Sequence, residues 1–157
     1  MNGQVFNELD FISLLSLSFS TSINELHDRL SELEFEDIRP THGFMFKCMI
    51  SNGATGIELA EYLGITKQAV SKMVDYLEKN GYVMRKTHPT DKRGKTIVLT
   101  ERGLLVMKAK EEILTDIEQR WIENIGAERM KMIKEDLTKL VCEANKGKLP
   151  WKLRPVW

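Results

Sequence analysis

The stretch Thr55–Gly81, TGIELAEYLGITKQAVSKMVDYLEKNG, leaves this chain little choice of local fold. Thr55 and Glu58 stand three apart just before Leu59 and Leu63, the reciprocal spacing of a capping box, so a helix opens here. Gly64 follows its last apolar residue, where glycine can turn left-handed and stop the helix. Thr66 then caps a second helix that runs to about Asn80 and closes at Gly81. Leu59, Ala60, Leu63, Ile65, Val70, Met73, Val74 and Leu77 fall where a helix-turn-helix needs its small core. Ala60 lets the two helices approach closely, and Val70 packs back from the second onto the first.

The exposed half of the second helix carries the chemistry. Val70, Val74 and Leu77 recur at steps of four and three and form one buried face. Thr66 at the helix start, with Lys67, Gln68, Ser71 and Lys72 on the other face, occupies the half that recognition helices insert into a major groove. The bland counterpart is a solvated face on an ordinary helical hairpin. The Ala60, Gly64, Val70 spacing and two basic residues near the helix start favour DNA.

Downstream, Tyr82–Thr87 is rich enough in β-formers for a strand, and Thr96–Thr100 is a clear second one. Between them, His88–Lys95 (HPTDKRGK) supplies Pro89 and Gly94 as turn residues, with Lys92, Arg93 and Lys95 around the tip. A hairpin directly after a recognition helix is a wing. Lys86, Lys92 and Lys95 would hold phosphates, and Arg93 would enter the minor groove, where the potential is most negative.

Composition enters through charge. The 157 residues suit one domain or one subunit of an intertwined dimer, and 29% charged against 42% hydrophobic residues is an ordinary soluble balance. Net charge is +0, which alone argues against a nucleic-acid partner. The distribution reverses this: residues 1–54 carry 3 Lys/Arg against 8 Asp/Glu, and residues 82–95 carry 5 against 1. Binding needs a basic face, not a basic protein. No apolar run reaches membrane-spanning length and the N-terminus lacks a basic secretory start, so a cytoplasmic location and no membrane partner are expected. Cys48 and Cys142 have no metal-ligand spacing with the three histidines and are read as reduced and buried. His42 is read as a helix-end hydrogen-bonder before a pocket residue. No cofactor or metal is implied.

Long helices flank the reading unit. Leu9, Ile12, Ser16, Phe19, Ile23, Leu26, Leu30 and Leu33 alternate steps of three and four across a helix expected from Asn7 to about Leu33. An acidic loop and Arg39-Pro40 end it, and Thr41 is expected to cap a helix over Gly43–Asn52. After the wing, Thr100 caps a helix to Ile125, stopped at Gly126. A last helix, Ala127–Ala144, aligns Met130, Ile133, Leu137, Leu140 and Val141. One subunit cannot cover both terminal stripes, so Leu9, Ile12, Phe19, Ile23, Leu26, Ile133, Leu137 and Leu140 are the candidate dimerisation residues.

With these elements in place the chain resembles the MarR family of bacterial winged helix-turn-helix regulators. The likeness lies in Asp91, Lys92 and Arg93, then Leu99, Thr100 and Gly103, at the family's D-x-R…L-T-x-x-G spacing. It covers nearly the whole chain and departs at the tail 146–157 (KGKLPWKLRPVW), read as a strap on the dimer surface. The resemblance implies a homodimer whose N- and C-terminal helices interlock, bound to a pseudo-palindromic operator in double-stranded DNA, most often as a repressor. It also implies that Asp91 braces the wing through a salt bridge to Arg93 or Arg85. Members often take a small aromatic or lipophilic ligand between the dimerisation helices and the winged domain, which makes such an effector a candidate partner.

The expected fold is therefore mainly α with a small β-hairpin wing. A winged helix-turn-helix at 39–103 is flanked by an N-terminal dimerisation helix, 1–38, and by C-terminal dimerisation helices with an apolar tail, 104–157. A winged protein-interaction module without DNA binding is the competing reading, and Lys67, Lys72, Lys92, Arg93 and Lys95 speak against it. An enzyme is disfavoured, with no clustered His/Cys/acid set, no Gly-rich phosphate loop and no nucleophile elbow.

Overall fold

The computed structural model describes residues 9–87, 90 and 94–147. Its elements are α1 (Phe11–Glu32), α2 (Pro40–Met49), β1 (Ala54–Thr55), α3 (Gly56–Leu63), α4 (Lys67–Lys79), β2 (Val83–Thr87), β3 (Lys95–Leu99), α5 (Glu101–Ile125) and α6 (Ala127–Ala144). The fold is mainly helical with a small antiparallel sheet in the order β1-β3-β2.

Local chemistry sets most boundaries. Thr55 and Glu58 form the capping box: the Thr55 N–H donates to the Glu58 carboxylate at 2.7 Å, and the Glu58 N–H donates to Thr55 Oγ1 at 3.3 Å. Gly64 closes α3 at φ 66, ψ 33, a conformation that a Cβ would penalise. Thr66 accepts from the Ala69 N–H at 3.2 Å to start α4, and Thr100 accepts from the Gly103 N–H at 3.1 Å to start α5.

The Leu99-Thr100-x-x-Gly103 run has a second role. The Thr100 N–H donates to the Tyr82 carbonyl at 3.0 Å, and its hydroxyl donates to the Gly81 carbonyl at 2.5 Å. A Cβ on Gly103 would lie 2.2 Å from that same Tyr82 oxygen, so only glycine lets the start of α5 seat against the root of β2.

Several boundaries differ from expectation: α2 ends at Met49 and not at Asn52, β2 starts at Val83, and β3 is Lys95–Leu99. Helix α1 begins at Phe11, because the Asp10 carboxylate accepts from the Ser13 N–H at 2.9 Å and caps it there. Residues 1–8 lie outside the described residues, and Leu9 precedes the helix, beside Leu17 and Trp121. Helix α2 starts at Pro40, three residues before Gly43, since proline at the first helical position has its φ preset and no N–H to satisfy. Thr41 is inside it and does not cap. Finally β1, which pairs Ala54 with Ile97 and Thr55 with Thr96, adds a third strand that the sequence pattern does not announce.

The core lies between the winged unit and the inner halves of α1 and α5. Met45, Phe46 and Met49 of α2 meet Leu59 and Leu63 of α3, Val70, Val74 and Leu77 of α4, Tyr82, and Val106, Ile113 and Ile117 of α5. Leu26 and Leu30 belong to this same core at 4% and 2% exposure. Leu26 thus packs within its own chain, not across a dimer seam, because α1 lies along α5 with ion pairs between them. Ile23 packs partly against the same core.

Candidate nucleic-acid interface

Helix α4 presents two stripes. Val70, Val74 and Leu77 are buried at 1%, 1% and 0%, which turns Lys67, Gln68, Ser71 and Lys72 outward. All four are exposed. Thr66 uses an oxygen lone pair for the cap, leaving the hydroxyl proton to donate outward.

Beside this helix stands the wing. Val83–Thr87 pairs with Lys95–Leu99, with Arg85 opposite Ile97, Lys86 opposite Thr96 and Thr87 opposite Lys95. Paired residues share a face and successive ones alternate, so Lys95 lies on the α4 side of the hairpin and Lys86 on the other. A groove of about 440 Å³ runs between helix and wing, with Val70, Val74 and Ile97 as its floor and Lys67, Ser71, Arg85 and Lys95 around it. The structure thus gathers Lys67, Ser71 and Lys95, sets Gln68 and Lys72 on the adjoining outer stripe, and sends Lys86 to the far face. His88, Pro89, Asp91, Lys92 and Arg93 lie outside the described residues, and with them the expected Asp91 brace.

Arg85 shows what sequence reasoning missed. Its Nη2 donates to Asp75 at 2.5 Å, its Nη1 to the Glu78 carboxylate, and its backbone N–H to Glu78 Oε1 at 3.0 Å. Asp75, whose carboxylate is the chief cause, and Glu78 hold its pKa above the ordinary value. Arg85 is, with Arg93, an expected partner of Asp91 inside the wing; its described carboxylate partners come from α4. The signal available was Asp75 and Glu78 at i and i+3, one helix face.

Behind the interface lies a polar network with no sequence signature. The Tyr82 hydroxyl donates to the Asp37 carboxylate, and the Tyr76 hydroxyl donates to the Asp37 carbonyl at 3.0 Å. The Arg102 guanidinium lies 4.7 Å from the Tyr82 ring centroid and 5.3 Å from that of Phe35, and donates to the Glu34 carbonyl at 3.0 Å. Burial, then the Asp37 carboxylate, pushes the Tyr82 phenol up to about 12. His42 Nδ1 accepts from the Arg39 N–H at 3.1 Å, the helix-end role expected of it. Burial, with the Arg39 charge second, lowers its pKa to about 4.

The other candidates separate cleanly. Cys48 and Cys142 are free thiols, half-buried, and burial raises the Cys48 pKa, which is the opposite of an activated thiolate. Among the described residues no His/Cys/Asp/Glu group could hold a metal, and no helix is long and apolar enough to cross a membrane. Ile12, Phe19, Ile133 and Leu140 are 72%, 43%, 45% and 53% exposed, and Leu137 is half-buried.

A helix-turn-helix followed by an antiparallel hairpin defines a winged helix-turn-helix protein. Residues 49–94 match the MarR family model. An uncharacterized HTH-type transcriptional regulator of Bacillus cereus is 36% identical over 97 residues, 61% of this chain and 64% of that protein. The matched stretch therefore spans just under two thirds of that relative. The fold is similar to that of a Staphylococcus aureus MepR mutant bound to an oligodeoxyribonucleotide, at 24% identity and TM-score 0.62 over 87% of this chain and 99% of that one. The transcriptional regulator Tm0710 of Thermotoga maritima matches at 25% identity and TM-score 0.62, over 88% and 97%. Over these matched residues the chain is similar to MarR-family regulators.

Proposed function

We propose that the protein is a dimeric, sequence-specific DNA-binding transcriptional regulator that represses by occluding a promoter. The observation that carries this reading is the outward row of Lys67, Gln68, Ser71 and Lys72 on α4 beside a groove edged by Lys95. One helix surface then offers amide and hydroxyl groups for base edges and ammonium groups for phosphates. The oligonucleotide bound to the MepR mutant supports the same partner class.

Dimerisation follows from the exposed apolar residues on α1 and α6, Ile12, Leu17, Ile133 and Leu140, which a second copy would cover. The reading divides the chain into dimerisation segments at 1–38 and 104–157 around a DNA-binding unit at 39–103, acting in the cytoplasm on a pseudo-palindromic operator. A small aromatic or lipophilic effector would relieve repression from the groove of about 540 Å³ between α2 and α5. Ile50, Leu104, Met107 and Leu114 line that groove beside Lys47 and Lys110.

Selection of bound duplexes from a random pool tests the reading and returns the site. The expected outcome is an enriched inverted repeat. Retention of all sequences alike, or of none, would sink it and favour a protein-interaction module.

A further inference from the structure

β2 is an edge strand, because the sheet order places β3 in the middle and β2 outside. An edge residue has backbone groups that no neighbouring strand takes. At Arg85 the recognition helix takes them: Glu78 accepts the Arg85 N–H at 3.0 Å as well as the guanidinium, and Asp75 accepts the other guanidinium arm at 2.5 Å. Beyond this point Lys86 and Thr87 are exposed. Arg85 therefore ties α4 to the middle of β2, three residues beyond the anchor at Tyr82, whose N–H donates to the Leu77 carbonyl at 2.9 Å.

The geometry is stiff. Asp75 and Glu78 sit one helical turn apart on one face, and a planar guanidinium with five fixed donors bridges both at once. The Arg85 and Glu78 side chains are 30% and 37% exposed and Asp75 62%, so water screens the Asp75 arm more than the Glu78 arm. Its charge is also unusual for this place. One cation between two carboxylates leaves a net negative cluster along a groove edged by Lys67 and Lys95. A surface selected only for attraction to phosphate would have neither acid.

We propose that Arg85, forked between Asp75 and Glu78, is a positioning residue that fixes the wing against the recognition helix, so that both acids strengthen DNA binding. The inference rests on the DNA-binding reading above. It makes a prediction opposite in sign to simple charge counting, since removing two acids near phosphates should otherwise tighten binding. Holding the wing at one angle lets helix and wing engage the duplex together without an ordering cost at binding.

The test uses the full-length protein and a duplex selected from the random pool, in two lengths. The long form includes the flanking base pairs that wild-type protein protects from hydroxyl radicals, and the short form lacks them. Asp75→Asn combined with Glu78→Gln should weaken binding to the long duplex about tenfold at fixed salt, the loss of one charge-assisted contact. It should leave binding to the short duplex, the melting temperature and the oligomeric state unchanged. Arg85→Lys keeps the charge but cannot fork, and should show the same loss on the long duplex. Tighter or unchanged binding by the double variant would overturn the proposal. So would equal losses on both duplexes, which mark a general fold defect, or wild-type binding by Arg85→Lys, which marks a plain phosphate contact. If the pool yields no enriched duplex, the DNA-binding reading itself has failed, a result distinct from any of these.

Discussion

The Tyr82 hydroxyl donates to the Asp37 carboxylate, joining the root of the wing to the loop between α1 and α2. Tyr82 is 0% exposed and its ring lies under the Arg102 guanidinium, so the bond is shielded on one side by that cation. With Tyr76 on the Asp37 carbonyl, one acidic residue carries contacts from both the recognition helix and the wing.

Tyr82→Phe keeps the ring and deletes only the hydroxyl, which donates to Asp37 and accepts from Arg102 Nη2 at 3.0 Å. Asp37 and Arg102 then lose a shared partner while the stacking on Arg102 stays. The expected cost is about 1–2 kcal/mol in unfolding free energy, read from the urea midpoint at unchanged slope. A loss of a few tenths would show that water replaces the hydroxyl freely.

His42 makes stability depend on pH. Its folded pKa is about 4, below the 6.5 of the free side chain, so the unfolded chain binds the extra proton first. The contribution is fully present above pH 6.5 and is lost as pH falls towards 4, up to about 3 kcal/mol in all. Burial sets the sign, with the Arg39 charge second, and protonation at Nδ1 would also break the bond to the Arg39 N–H. His42→Asn, whose amide oxygen can take the Nδ1 role, should flatten the stability curve by about one proton between pH 4 and 6.5. An unchanged slope would place the acid sensitivity in the carboxylates instead.

These contacts also mark what could be read from the sequence. Thr55, Gly64, Thr66 and Thr100 act on residues three or four positions away, so caps and stops were legible and α3 to α6 fall where their spacing puts them. Ala54 with Ile97, and Asp37 with Tyr82, join residues more than forty apart, and no local pattern announces such partners. The apolar stripe of α1 is a third case. Periodicity identifies the buried face of Leu26 but cannot say whether its cover is α5 of the same chain or a second subunit. In the interface, exposure of Lys67, Gln68, Ser71 and Lys72 followed from helix phase, whereas the separation of Lys86 from Lys95 required the strand register.

That distinction sharpens the test of assembly. Ile133 and Leu140 are one stripe of α6 and both are exposed on a single chain. Ile133→Asp with Leu140→Asp should convert a dimer to a folded monomer in sedimentation, since each apolar side chain buried at an interface contributes roughly 1.5–3 kcal/mol. Leu26→Asp should instead unfold the chain, because it places a charge in the core. A stable dimer of the α6 double variant would move the interface elsewhere.

The division of labour on DNA can be separated by one residue from each element. Gln68 stands on the outward stripe of α4, and its amide can donate and accept at an adenine edge. Lys95 is a point charge on the α4-facing side of the wing, suited to a phosphate whatever the base. Gln68→Ala should relax preference at one position of each half-site and leave binding to random duplex unchanged. Lys95→Ala should weaken selected and random duplexes alike and lower the salt slope by about one unit per lost contact. Titrations of both variants on both duplexes at several salt concentrations decide between the roles. If Gln68→Ala weakens random duplex as much as the selected one, α4 is gripping backbone, and the bases must be read by residues further along the helix or in the wing.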